Sequence, residues 1–109
     1  MLHTRVEPGD TPVIYLKGDI DLDSAETFRW VVGDVTRGVT EVLIDFSEVT
    51  FIDSSGAGLV VRMTLDMQSR GVRLRLRSIS PPVADVFAML KVRQLIGDEA
   101  FVDEPPAAE

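Results

Sequence analysis

Cysteine is absent from this 109-residue chain. Disulfide staples, thiolate zinc sites and a cysteine nucleophile are therefore excluded. Histidine occurs once, as His3 beside the terminus, so imidazole chemistry has a single group to draw on. Basic residues are few, with 11 Lys and Arg against 18 Asp and Glu and a formal charge of −7. Phosphate-backbone binding is a poor expectation for such a chain, and the single Trp and single Tyr offer little for stacking bases. The balance favours a partner that presents basic or mixed charge. No apolar run approaches the ~20 residues of a membrane span. The opening Met1-Leu2-His3-Thr4-Arg5-Val6-Glu7 turns charged at once, unlike a secretory leader. These absences fit a cytoplasmic protein. Carboxylates are plentiful, but none falls at metal-ligand spacing, so neither a metal nor a cofactor is expected.

What is present is a foldable core. Hydrophobic residues make up 45% of the chain, enough for one domain of ordinary stability. We expect it to span residues 1–102, with 103–109 (Asp-Glu-Pro-Pro-Ala-Ala-Glu) as a flexible acidic tail. The opening predicts a hairpin: a strand, a turn at Glu7-Pro8-Gly9-Asp10 with positive φ at the glycine, and a second strand from Pro12 to Gly18. A helix capped by Asp23, with Glu26 in capping-box spacing, carries Leu22, Ala25, Phe28, Val32 and Val35 as its apolar stripe and ends near Gly38. Glu41–Phe46 reads as a central strand because Val42-Leu43-Ile44 is continuous.

A second helix runs from about Ser55 to Ser69 and stops at Gly71. Its Met63 and Met67, with Met89 further on, read as core. In Val72–Arg77 three apolar residues alternate with Arg73, Arg75 and Arg77, which predicts a solvated sheet face paired with carboxylates. Ser80-Pro81 opens a third helix with Val83, Val86, Phe87 and Leu90 on one side. Ala100-Phe101-Val102 is the last candidate strand. The fold class is α/β: a small mixed β-sheet, with an opening hairpin and then alternating strands and helices, and with the helices packed mainly on one face.

The most informative run is Ile52-Asp53-Ser54-Ser55-Gly56-Ala57-Gly58-Leu59, where a strand gives way to a helix. A serine there can cap the helix. The same place suits a phosphate, because free amide protons and the helix dipole both favour an anion. Ser55 would sit in the first turn, where a hydroxyl is mostly structural. Gly56-Ala57-Gly58 is far short of a nucleotide-binding loop and reads as close helix–sheet packing with room for a partner near Ser54. Asp53 adjoins the serine. Asp19 and Asp21 end a strand that should reach the same edge of the sheet, and Asp21, with Asp23, can serve helix-start chemistry. A Ser-His-Asp arrangement of Ser54 with His3 is a remote enzymatic reading.

Three stretches resemble a family. Leu43-Ile44-Asp45-Phe46-Ser47-Glu48-Val49-Thr50-Phe51-Ile52-Asp53-Ser54-Ser55-Gly56-Ala57-Gly58-Leu59 is similar to the signature of STAS domains, nearest to bacterial anti-sigma-factor antagonists. Leu16-Lys17-Gly18-Asp19-Ile20-Asp21 with Ser24-Ala25-Glu26, and Leu76-Arg77-Ser78-Ile79-Ser80-Pro81 with Val83 and Phe87, resemble the segments before and after it. The likeness covers roughly residues 4–102 of the chain.

This resemblance implies a non-enzymatic regulator. It binds an anti-sigma factor, typically a serine kinase of the GHKL ATPase type, and frees the sigma factor. Phosphorylation of Ser54 ends the interaction and a phosphatase resets it. The implied contact residues are Asp19, Asp21, Asp53, Ser54, Ser55, Gly56 and Gly58. The alternative is a STAS scaffold subunit of a transport or signalling complex without phosphoswitching. Family members often carry one more C-terminal helix, for which this chain shows no pattern.

Overall fold

A computed structural model describes residues 1–102. The expected tail, 103–109, and any helix following the last strand lie outside the described residues. Five strands form one sheet in the order β1-β2-β3-β4-β5: β1 (Leu2–Glu7), β2 (Val13–Ile20), β3 (Glu41–Ile52), β4 (Arg73–Arg77) and β5 (Phe101–Val102). The first pair is antiparallel, and β2, β3, β4 and β5 run parallel to one another. Helices α1 (Ala25–Val35), α2 (Ser54–Ser69) and α3 (Pro81–Met89) each connect two neighbouring parallel strands. Right-handed crossovers that always step the same way place successive helices on the same side of the sheet. The other side is left to solvent, as the alternation in β4 requires.

The core is an apolar layer between sheet and helices. Ile14, Leu16, Ile44, Leu74 and Leu76 from the strands meet Phe28, Val32, Val60 and Val83 from the helices, all buried. Phe87 of α3 stands edge-on between Phe46 of β3 and Phe101 of β5, with ring centroids 6.0 and 6.3 Å away. Such edge-to-face pairs add to plain burial.

Several expectations are corrected. The turn between β1 and β2 is present, but Gly9 does not take positive φ. Strand β3 continues six residues beyond Phe46. It crosses the polar Ser47-Glu48 because two bulges, each an extra residue of β3 set against Tyr15–Lys17 and against Gly18–Asp19 of β2, keep the two strands in step as far as Ile20 and Ile52. Leu22 leaves the predicted apolar stripe and is 74% exposed, because it sits in a 3-10 turn (Leu22–Ser24) ahead of α1. Met63 and Met67 are core, whereas Met89, at the end of α3, is 74% exposed. A short helix, α4 (Val92–Ile96), was not read from the sequence. Lys91 enters it at φ 57° and Gly97 leaves it at φ 93°. His3 lies inside β1, paired with Lys17.

Candidate functional site

The carboxyl ends of β2 and β3 finish side by side, and each leads into a helix. Ile20 pairs with Ile52, and the Asp53 amide donates to the Ile20 carbonyl at 3.4 Å. The first turn of α2 presses on the same carbonyl: a Cβ built on Gly56 would fall inside van der Waals contact with the Ile20 oxygen. Only glycine fits there, which bears out the reading of Gly56 as close helix–sheet packing. Gly58 is different, because nothing lies within 4 Å of its missing side chain. It leaves an open notch on the outer face of α2.

The cap of α2 is Asp53, not a serine. Its extended backbone (φ −112°, ψ −175°) and its Oδ1, which accepts from the Gly56 amide at 2.8 Å, fulfil the N-cap role. The carboxylate is the stronger acceptor facing the positive helix end, so Ser54 moves to the first helical position. There it is exposed, and its hydroxyl makes no hydrogen bond among the described residues. Ser55 is likewise exposed and unengaged. With no partner at Ser54 Oγ, the described residues contain no Ser-His-Asp arrangement on it.

The neighbouring strand end is ordered by hydrogen bonds at the entry to α1. The helix entry is organised around Asp21 and Ser24 rather than Asp23 and Glu26. The Asp21 amide donates to Ser24 Oγ at 3.3 Å, and the Ser24 hydroxyl lies 2.8 Å from the Asp19 carbonyl and 3.0 Å from Asp21 Oδ1. Ser24 is buried, which fixes Asp19 and Asp21 at the site edge. Asp19 turns its carboxylate to the Met1 amine at 3.1 Å, so it faces the β1 side. Asp21 instead lines a shallow groove of about 320 Å³ between the start of α1 and the start of α2, together with Ser54, Ser55 and Gly58. The structure therefore gathers Asp21, Ser54, Ser55 and Gly58 on one surface. Asp53 and Gly56 are its supports, and Asp19 is a flank.

Two groove residues were missed by sequence reasoning: Arg29 of α1 and Arg62 of α2. Arg62 stands seven residues after Ser55, two helical turns along the same face, and that spacing was readable. Arg29 stands seven after Leu22, which the expected apolar stripe hid.

On the opposite, helix-free face the arginines of β4 behave as expected. Arg73 reaches Glu41 at 2.6 Å, Arg75 reaches the same carboxylate at 3.5 Å, and Arg77 Nε donates to Asp45 at 2.9 Å. Burial pushes the Asp45 carboxyl up, but hydrogen bonds from the Ser47 hydroxyl and amide and from Arg77 outweigh it and hold the group below its ordinary value. Among the described residues no cluster of His, Asp and Glu is arranged to hold a metal, and no helix is long and apolar enough to cross a membrane.

The pair Ser54 and Ser55 thus stands exposed, with both hydroxyls unengaged, at the edge where β3 gives way to α2. The model of the STAS domain family matches residues 3–105, and the chain belongs to that family. Among solved structures it is similar to the unphosphorylated anti-sigma factor antagonist SpoIIAA, with 26% identity, a TM-score of 0.71 and coverage of 97% of this chain and 90% of that one. An anti-sigma factor antagonist from Mycobacterium paratuberculosis shares the fold at 19% identity and TM-score 0.76, over 98% of this chain and 88% of the other. A SulP transporter STAS domain from Vibrio cholerae does so at 20% identity and TM-score 0.64, over 83% and 70%. The chain also spans 18% of the length of a larger matched structure, Mglu.

Proposed function

We propose that this chain is an anti-sigma-factor antagonist of the cytoplasm that works by binding rather than catalysis. Unphosphorylated, it engages an anti-sigma factor of the GHKL serine-kinase type and so frees a sigma factor. The kinase then transfers the γ-phosphoryl group of ATP to Ser54: the new P–O bond forms at Oγ, ADP leaves, and the hydroxyl proton passes to a base on the kinase. A phosphatase reverses the step by hydrolysis. Likeness to SpoIIAA supports the class.

The observation that carries the reading is the exposed, unengaged Ser54 hydroxyl at the first position of α2, its capping duty already taken by Asp53. A phosphate there adds about −1.5 to −2 of charge, and the first-turn amides stabilise it. The domain keeps its fold while its docking surface changes sign. Weakening a partner tens- to thousand-fold needs only ~2–4 kcal/mol, within the reach of one phosphate set against an acidic or apolar partner surface.

The test is to incubate the protein with candidate anti-sigma kinases and ATP, then to locate the phosphate by mass spectrometry. Label on Ser54, lost in Ser54→Ala, is expected. Label on Ser55 alone overturns the site. Recovery of a transporter complex in place of any anti-sigma kinase overturns the class in favour of a STAS scaffold subunit.

A further inference from the structure

Seven of the nine arginines are engaged within the described residues. Arg5 lies over the Tyr15 ring at 4.0 Å. Arg37 and Arg70 pair with Asp34 and Asp66 on their own helices. Arg73, Arg75 and Arg77 pair across the sheet, and Arg93 pairs with Asp98. Arg29 and Arg62 alone have no carboxylate or ring partner there. Both are exposed, and both line the groove that holds Ser54.

The same two side chains also line a second groove of about 440 Å³ further along α1 and α2, together with Asp66 and Arg70. The two hollows of this α1–α2 channel share the arginines, and each also has one carboxylate on its wall, Asp21 in the first and Asp66 in the second. On a molecule of formal charge −7, two unspent guanidiniums lining the same grooves are an exception to the surface. They are also the type of group best suited to gripping carboxylates. The channel has an apolar element beside them: Leu22 stands 74% exposed at one end, and Leu59 and Ala25 form part of the floor.

We infer that this α1–α2 channel docks an acidic, amphipathic segment of the partner protein, with carboxylates on Arg29 and Arg62 and an apolar side chain against Leu22. The inference rests on the reading of the Ser54 edge as a docking surface and names the chemistry of what docks there. It also explains the direction of the switch. A segment held by guanidiniums carries negative charge past Ser54, so a phosphate on that serine meets like charge and competes for the same arginines. Arginine side chains on a helix lean toward its N-terminus, which brings Arg62 back toward Ser55 across the notch left by Gly58.

The test uses a defined probe: a 14-residue peptide rich in Glu and Asp with one central Leu, alongside its Gln/Asn counterpart. Calorimetry and amide and guanidinium NMR shifts are read on the full chain at low salt. The acidic peptide is expected to bind, to shift residues of α1 and α2, and to lose about three- to ten-fold in affinity in R29Q/R62Q, the size two exposed ion pairs allow. The sheet-face variant R73Q/R75Q is expected to bind within two-fold of wild type.

Equal affinity for the neutral peptide, an equal loss in the sheet-face variant, or binding of phosphatidylglycerol vesicles but not peptide overturns the proposal. Neither kinase nor ATP is present in this assay. A failure of Ser54 to be phosphorylated is therefore seen separately and leaves this result standing.

Discussion

The two faces of this molecule use arginine in opposite ways. On the open face of the sheet a row runs across four strands: Arg5 opposite Tyr15, Tyr15 opposite Asp45, Asp45 opposite Arg77. Every member is occupied. Arg77 donates to both Asp45 and the Tyr15 hydroxyl, and that hydroxyl donates in turn to Glu7 at 3.3 Å. On the α1–α2 side Arg29 and Arg62 stand beside two unengaged serines. Where charges satisfy one another, cross-strand pairing is structure. Where donors and hydroxyls are left over in one groove, the surface is directed outward. Counting arginines in the sequence points to β4; counting partners in the structure points to the helices.

Four substitutions break or sharpen that contrast. The largest effect belongs to Gly56→Ala, which drives a methyl group into the Ile20 carbonyl and removes the mount on which the helix side depends. A stability loss of about 3 kcal/mol is expected from urea unfolding, since the obstacle is backbone.

Next comes Asp45→Asn, which breaks the sheet-face row. At neutral pH it should cost ~2 kcal/mol by leaving Arg77 without its anion, with partner binding unchanged. The folded carboxyl sits below its ordinary value of 3.8, so its stabilisation is complete above that pH and is lost as pH falls toward the folded value. Thermal melts of wild type and variant should therefore converge in acid. A gap that stays unchanged as pH falls through and beyond 3.8 would refute the assignment.

Asp53→Ala removes the α2 cap and should cost about 1 kcal/mol, read as a lowered melting temperature. Ser54→Ala should have the smallest effect on stability, within about 0.5 kcal/mol, while abolishing phosphorylation. A large destabilisation would return Ser54 to a structural role.

The alternation of apolar and polar segments made most of the architecture legible, down to the arginine alternation of β4. What escaped reading were choices between two acceptable local answers. Asp21-x-x-Ser24 and Asp23-x-x-Glu26 both fit a capping box. The first wins because the Ser24 hydroxyl also reaches the Asp19 carbonyl, a contact with a strand end that no local pattern contains. Asp53 and Ser54 are both good caps, and the carboxylate takes the role as the stronger acceptor, held in place by the bond of the Asp53 amide to the Ile20 carbonyl. Strand β3 outran its apolar run because its neighbour supplied the pairing.

At the site, the serine pair and Asp21 were visible in the motif, and Gly56 was rightly read as packing. Arg62 lies beyond the motif, which ends at Leu59. Leu22 was misassigned because a 3-10 turn has a different period from the helix it introduces.

The fit of Gly56 beneath Ile20 also has a kinetic consequence. Strand end and helix start arrive at an encounter as one preformed piece, with little local freedom left to surrender on capture. A prepaid surface of this kind makes productive collisions frequent. On the proposed reading, a phosphate on Ser54 leaves this preformed piece intact and should be felt mainly as a shorter lifetime of the complex rather than as slower capture.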